Sequence, residues 1–126
     1  MKKVIQTDQA PAAIGPYSQG IDLGNLIFTS GQIALNPETG KLVEGGIIPQ
    51  TEQVFHNIEA ILAADGLNTS NIVKTVVYLK NISDFAVVNE IYSKHFSGDY
   101  PARSAVQVAD LPKGALVEIE CIAAKN

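Results

Sequence analysis

The stretch "LVEIECIAA" (116–124) decides how this chain folds. Its residues alternate with the two-residue period of a β-strand, Val117, Ile119, Cys121 and Ala123 on one side, Leu116, Glu118, Glu120 and Ile122 on the other. The first side is wholly apolar and fits against a layer of helices. The second carries two like charges at i and i+2, which repel. If that face is buried, a partner group or a shifted pKa must follow.

Upstream, "PARSAVQVADLP" (101–112) reads as a strand over about 103–108, entered from a proline, with a turn at 111–114 leading into the last strand. Here Ser104, Val106 and Val108 share one face, and Arg103, Ala105 and Gln107 the other. "IVKTVVYLK" (72–80) is β-branched and apolar on both faces, which predicts a central strand. Two segments switch to helical periodicity. In "TEQVFHNIEAILAADG" (51–66) Val54, Phe55, Ile58, Ile61 and Leu62 form one stripe, with Thr51 as the expected N-cap and Gly66 as terminator. In "DFAVVNEIYSKHF" (84–96) the buried set is Phe85, Val88, Ile91, Tyr92 and Phe96. At the N-terminal end, "KVIQT" (3–7) is a short strand and "APAAIGP" (10–16) a loop stiffened by two prolines. "YSQGIDLGNLIFTSGQI" is a hairpin turning at Gly24-Asn25, and "NPETGKLVEGG" (36–46) a surface loop or minor hairpin.

The expected fold is therefore α+β, a single domain over residues 1–126 with a mixed sheet of about six strands and two helices. Two helices cover one face of such a sheet and leave the other bare. Parity alone places Arg103 with Glu118 and Glu120 on the bare side, the side available to other subunits. Composition agrees with a shared surface: 46% of residues are hydrophobic and only 17% charged.

The formal charge of −4 and a pI near 5.0 argue against nucleic acid as a partner. No apolar window reaches the roughly 18 residues of a membrane span, and "MKKVIQTDQAPAAIG" has no apolar core of signal-peptide type. A single cysteine, Cys121, excludes an intrachain disulfide and suits the cytoplasm; its neighbours give it no activating base. His56 and His95 lie on separate helices without carboxylates at ligand spacing, so no metal is expected. Gly45-Gly46 lacks the lysine of a phosphate loop, and no serine sits in a nucleophile elbow.

What remains is a polar set without nucleophile or cofactor: Tyr17, Ser30, Arg103, Glu118 and Glu120. From the residues alone, Arg103 is a solvated edge charge, half of a structural ion pair with a glutamate, or an anion clamp. The ion pair is the commonest of these uses. A guanidinium matches a carboxylate with two parallel hydrogen bonds, each contributing about 1.5–3 kcal/mol when charge-assisted. On a covered face beside a cavity, the same arginine makes a carboxylate site.

These residues also carry a resemblance. "APAAIGPYSQG", "TSGQI" and "PARSAVQVADLPKGALVEIECIA" resemble, in order and spacing, the YjgF/YER057c/UK114 family and specifically its RidA branch of imine/enamine deaminases. The resemblance implies a chorismate-mutase-like fold in a homotrimer, whose three sheets form an inner barrel with sites in the clefts between subunits. It also implies roles: Arg103 holds the substrate carboxylate, Glu118 holds and polarises the attacking water, and Tyr17, Ser30 and the Gly31 N–H line the site. Many relatives carry cysteine where this chain has Ala105, and there the backbone carbonyl contacts the substrate nitrogen.

The implied reaction is hydrolysis of 2-aminoacrylate or 2-aminocrotonate, through their 2-imino acid tautomers, to 2-oxo acids and ammonia. The imine carbon is already electrophilic, so no cofactor is required; orientation and a polarised water suffice. Two other classes use the same residues differently. A non-catalytic, carboxylate-binding regulatory trimer would keep the Arg103 clamp. An endoribonuclease needs a basic stripe that this acidic chain does not supply.

Overall fold

In the computed structural model, which describes residues 1–125, the C-terminal stretch forms β6, Val117–Ala124, and stands inside the sheet. The other strands are β1 (Lys3–Ile5), β2 (Gly20–Asp22), β3 (Leu26–Thr29), β4 (Ile72–Leu79) and β5 (Ala102–Gln107). The sheet order is β1-β2-β3-β6-β4-β5, antiparallel throughout except for the parallel pair β4/β5 at one edge. The helices are α1 (Ile47–Ala63) and α2 (Phe85–Lys94). The mixed six-stranded α+β sheet expected above is thus present, with residues 72–79 in its interior and the β2–β3 hairpin turning at Gly24-Asn25. Leu23 N–H closes that turn on the Leu26 carbonyl at 2.8 Å.

The alternation in β6 is realised as read. Val117, Ile119, Cys121 and Ala123 are buried against the helices, while Glu118, Glu120 and Ile122 are only half-covered. Phe55, Ile58, Ile61 and Leu62 of α1 and Val88 and Tyr92 of α2 meet them in one core. Each such aliphatic or aromatic side chain contributes about 1.5–3 kcal/mol by leaving water. Phe85 and Phe96 pack at the margin of this core.

α1 begins a turn earlier than its polar pattern suggests. Gly46, at φ 89°, occupies the N-cap, and Pro49 sits in the first turn, where its missing N–H costs no helical bond. Thr51 is therefore not the cap. It is buried inside the helix, and its hydroxyl donates back to the Ile47 carbonyl at 2.8 Å. The end is as expected. Gly66 at φ 77° donates to Ala63, and Leu67 N–H reaches Leu62 at 2.9 Å, a Schellman closure that brings Leu67 onto the core.

Register overturns one expectation. β5 pairs with β4 so that Thr75 faces Arg103, Val77 faces Ala105 and Leu79 faces Gln107. Thr75, Val77 and Leu79 are buried beneath the helices and pair on their other side with Cys121, Ile119 and Val117. Arg103 and Ala105 consequently lie on the helix side of the sheet, and Glu118 and Glu120 on the opposite one. Alternation within a strand says which residues share a face, but only register to its neighbours says which face. β5 is an edge strand exposed on both sides, so its own pattern held no answer.

The helix-free face presents an apolar band that runs across strands through Val4, Ile21, Phe28 and Ile122, with Val76, Tyr78 and Val106 farther along. Val4, Phe28 and Val106 remain exposed.

Candidate active site

On the helix-free face a cavity of about 510 Å³ collects Tyr17, Ser30, Gly31 and Glu118, with Ile14 and Ile33 among its apolar lining. Its walls are fixed by buried amides. Gln19, 2% exposed, accepts the Thr7 N–H at 2.7 Å and reaches the carbonyls of Thr7, Ala10 and Pro11 with its NH2 group. The loop that delivers Tyr17 is thereby tied to the start of β2, in addition to its two prolines. Asn57 of α1 donates to the Ile33 and Leu35 carbonyls, and Gln32 exchanges backbone hydrogen bonds with Ile119. The segment from Ser30 to Leu35 is so pinned between helix and sheet.

Within this frame Gly31 and Glu118 depend on each other. A Cβ on Gly31 would overlap the Glu118 carboxylate and stand 2.9 Å from its Cδ, so the carboxylate occupies the space that a side chain would take. No protein partner for the Gly31 N–H is found among the described residues. The Ser30 hydroxyl donates to the Ser18 carbonyl at 2.5 Å. Its proton is committed to the loop, and only its lone pairs face the cavity.

The two glutamates divide as their spacing required. Glu120 receives the Tyr78 hydroxyl at 2.7 Å. Glu118 has no hydrogen-bond partner among the described residues, and burial, with the Glu120 charge in addition, pushes its carboxyl above the ordinary range. A half-buried carboxylate with raised pKa and no partner suits a general base.

Arg103 stands in a second cavity of about 430 Å³ on the other face, with Asn89, Tyr92 and Tyr100 around it. Nη1 donates to Asn89 Oδ1 at 2.6 Å, and Cζ lies 4.8 Å from the Tyr92 ring centroid and 5.4 Å from that of Phe85. It pairs with no carboxylate among the described residues, so the structural ion pair is not what the chain makes of this arginine. Ala105 lies two residues on. Val108 N–H bonds the Leu79 carbonyl, so the even-numbered residues of this strand face β4. By the alternation of a parallel ladder, Ala105 turns its N–H and C=O to the open edge.

The expected residues thus form two groups, Tyr17, Ser30, Gly31 and Glu118 together, Arg103 and Ala105 apart from them. Asn89 and Gln19 went unnoticed in the sequence. An uncharged polar residue between the buried Val88 and Tyr92 of a helix is the only signal that Asn89 gave.

Of the remaining candidates, Cys121 is a core side chain whose thiol is pushed up to about 11 by burial. His56 is exposed. His95 meets two carboxylates after all, Glu52 at 2.7 Å and Glu59 at 3.0 Å, because residues two turns apart on α1 share the face that meets the end of α2. Its ring stacks on Phe55 with centroids 4.2 Å apart. No cluster of three or more His, Cys, Asp or Glu able to hold a metal occurs among the described residues.

Fold and site define an α+β protein with an oriented cation and an unpaired carboxylate in two separate cavities. Residues 7–125 match the family model described as Endoribonuclease L-PSP. The chain is 50% identical over its full length to the 2-iminobutanoate/2-iminopropanoate deaminase of Mus musculus, covering 93% of that protein. It is 51% identical to the deaminase of the same name from Escherichia coli K12, with both chains covered completely. The crystal structure of RidA from the Antarctic bacterium Psychrobacter superposes with a TM-score of 0.94 at 52% identity, over 98% of this chain and 99% of that one. The chain belongs to the Endoribonuclease L-PSP family, also called YjgF/YER057c/UK114.

Proposed function

We propose that this protein is a cofactor-independent deaminase that hydrolyses 2-imino acids, the tautomers of 2-aminoacrylate and 2-aminocrotonate, to 2-oxo acids and ammonia. The observation that carries it is the unpartnered, half-buried Glu118 carboxylate seated over Gly31. Full-length relatives named for this reaction support it.

In this reading Arg103 holds the substrate carboxylate and the Ala105 carbonyl accepts from the imine nitrogen. Glu118 takes a proton from water as its oxygen bonds to the imine carbon. The π pair of C=N goes to nitrogen, which is protonated, and the carbinolamine forms. It collapses to the C=O of the 2-oxo acid when its hydroxyl loses a proton and ammonia departs with the C–N pair. Tyr17 relays protons, and Ser30 and the Gly31 N–H orient the polar groups.

Arg103 and Glu118 lie on opposite faces of one sheet, so a complete site takes Arg103 and Ala105 from one copy and the Glu118 cavity from another. A homotrimer, buried through the helix-free face, is the assembly proposed. We place it in the cytoplasm, where the substrates arise from pyridoxal-phosphate-dependent dehydratases.

The test generates 2-aminocrotonate with threonine dehydratase and follows 2-oxobutanoate release with and without this protein. Acceleration is expected, lost by about 100-fold or more in Arg103→Ala and in Glu118→Gln. Mixing the two inactive variants under exchange conditions should restore part of the activity, because some clefts regain both groups. No acceleration by the wild type would sink the assignment, and 2-oxobutanoate binding without turnover would favour a regulatory carboxylate binder.

A further inference from the structure

An arginine that captures an anion must be held still without being neutralised. We infer that Asn89 is a positioning residue for Arg103, a neutral amide that fixes the guanidinium while leaving its positive charge to a carboxylate ligand. The class of that ligand, a 2-imino or 2-oxo acid, rests on the deaminase reading.

Three constraints act on the guanidinium. Its backbone is held in register with Thr75 of β4. Its Cζ lies over the rings of Tyr92 and Phe85, and Tyr92 is itself locked by a 2.7 Å hydrogen bond between its hydroxyl and Thr75 Oγ1. The third constraint, the 2.6 Å bond to Asn89 Oδ1, is the only polar one among the described residues, and it engages Nη1 alone. The Nε–Nη2 edge, which can bind a carboxylate with two parallel bonds, has no protein partner among the described residues. The nearest acid along α2, Glu90, pairs instead with Lys94 at 3.8 Å.

Asparagine and aspartate have nearly the same shape, and an aspartate at 89 would bring a carboxylate to the same place. It would also supply the anion that Arg103 is free to take from solution, so occupancy by substrate would become competitive. Neutrality of the anchor is therefore the property that keeps the site empty for its ligand.

The inference is tested by comparing Asn89→Asp and Asn89→Ala with wild type in imine turnover and in calorimetric binding of 2-oxobutanoate. For Asn89→Asp, KM and Kd should rise about tenfold or more while kcat stays within about threefold. Added salt should narrow that gap, since it screens the new ion pair. Asn89→Ala should give a smaller rise, about threefold, with no such salt response. A merely structural residue would move kcat or Tm in both variants alike. Wild-type affinity and KM in Asn89→Asp would overturn the inference.

If the wild type neither turns over imines nor binds 2-oxobutanoate, the deaminase reading fails, and NMR of the Arg103 guanidinium still decides the positioning role. Separate, slowly averaging Nη signals in the wild type should merge in Asn89→Ala. Signals that stay separate in that variant would overturn the inference.

Discussion

A methyl group at position 31 would have to share space with the Glu118 carboxylate. The carboxylate is the end of a flexible side chain, so Gly31→Ala should fold and displace it rather than strain the backbone. The expected outcome is a loss of about tenfold or more in kcat/KM with Tm nearly unchanged, read from steady-state assays beside a thermal melt. Glu118 carries a pH consequence as well. Burial, more than the neighbouring Glu120 charge, raises its carboxyl, so the base form is lost on acidification sooner than for an exposed glutamate. The acid limb of kcat/KM should therefore fall above the ordinary glutamate value of about 4.3. Glu120→Gln should move the limb towards that value by removing the like charge. At this scale much of the candidate site was legible, because Tyr17, Ser30, Gly31 and Glu118 stand in motifs and do meet in one cavity. Asn89 was not, since its role comes from an arginine fourteen residues away that only the fold brings near.

Among the elements, α1 buries a full stripe of side chains, Val54, Phe55, Ile58, Ile61 and Leu62, against the sheet and α2. Phe55 is fully buried, stacks on His95, and meets Tyr92 and Phe96 edge-on. Phe55→Ala should cost about 3–5 kcal/mol by denaturant titration, the range for a large aromatic removed from a closed core. Helical periodicity made that face plain before any coordinates. The start of α1 was hidden because Thr51 offered a polar cap, whereas the helix begins a turn earlier with Pro49 in its first turn, where a proline breaks nothing. The face of β5 was hidden for a different reason. An edge strand exposed on both sides has no hydrophobic pattern to orient it, and its register comes from β4 across a whole helical crossover. Local chemistry thus reported elements well and relations between elements poorly.

For the molecule as a whole, the chain ends are tied by charge. Lys125, just past β6, pairs with Asp22 of β2 at 2.6 Å and Asp65 at 3.1 Å, and Lys3 approaches Asp65 at 3.9 Å. Lys125, with the Gly24 N–H beside it, lowers the Asp22 carboxyl to about 2. A depressed carboxyl stabilises the fold above its unfolded value of about 3.9, and that stability drains away as pH falls towards the folded value. Acid unfolding should accordingly steepen between about pH 4 and 2, and Lys125→Met should lessen that dependence in melts run across the range. Nothing in the sequence pairs positions 22, 65 and 125, because the contacts cross a β-hairpin, a helix terminus and the chain end.

On the shared-site reading proposed above, the placement of Arg103 and Glu118 on opposite faces has a consequence for how the protein behaves when scarce. A lone chain owns both groups yet cannot aim them at one molecule. Its specific activity is then a property of dilution: constant while copies stay associated, and falling steeply once they part. Enzyme titrations that remain linear down to the lowest measurable concentration would set an upper limit on the dissociation constant of the assembly.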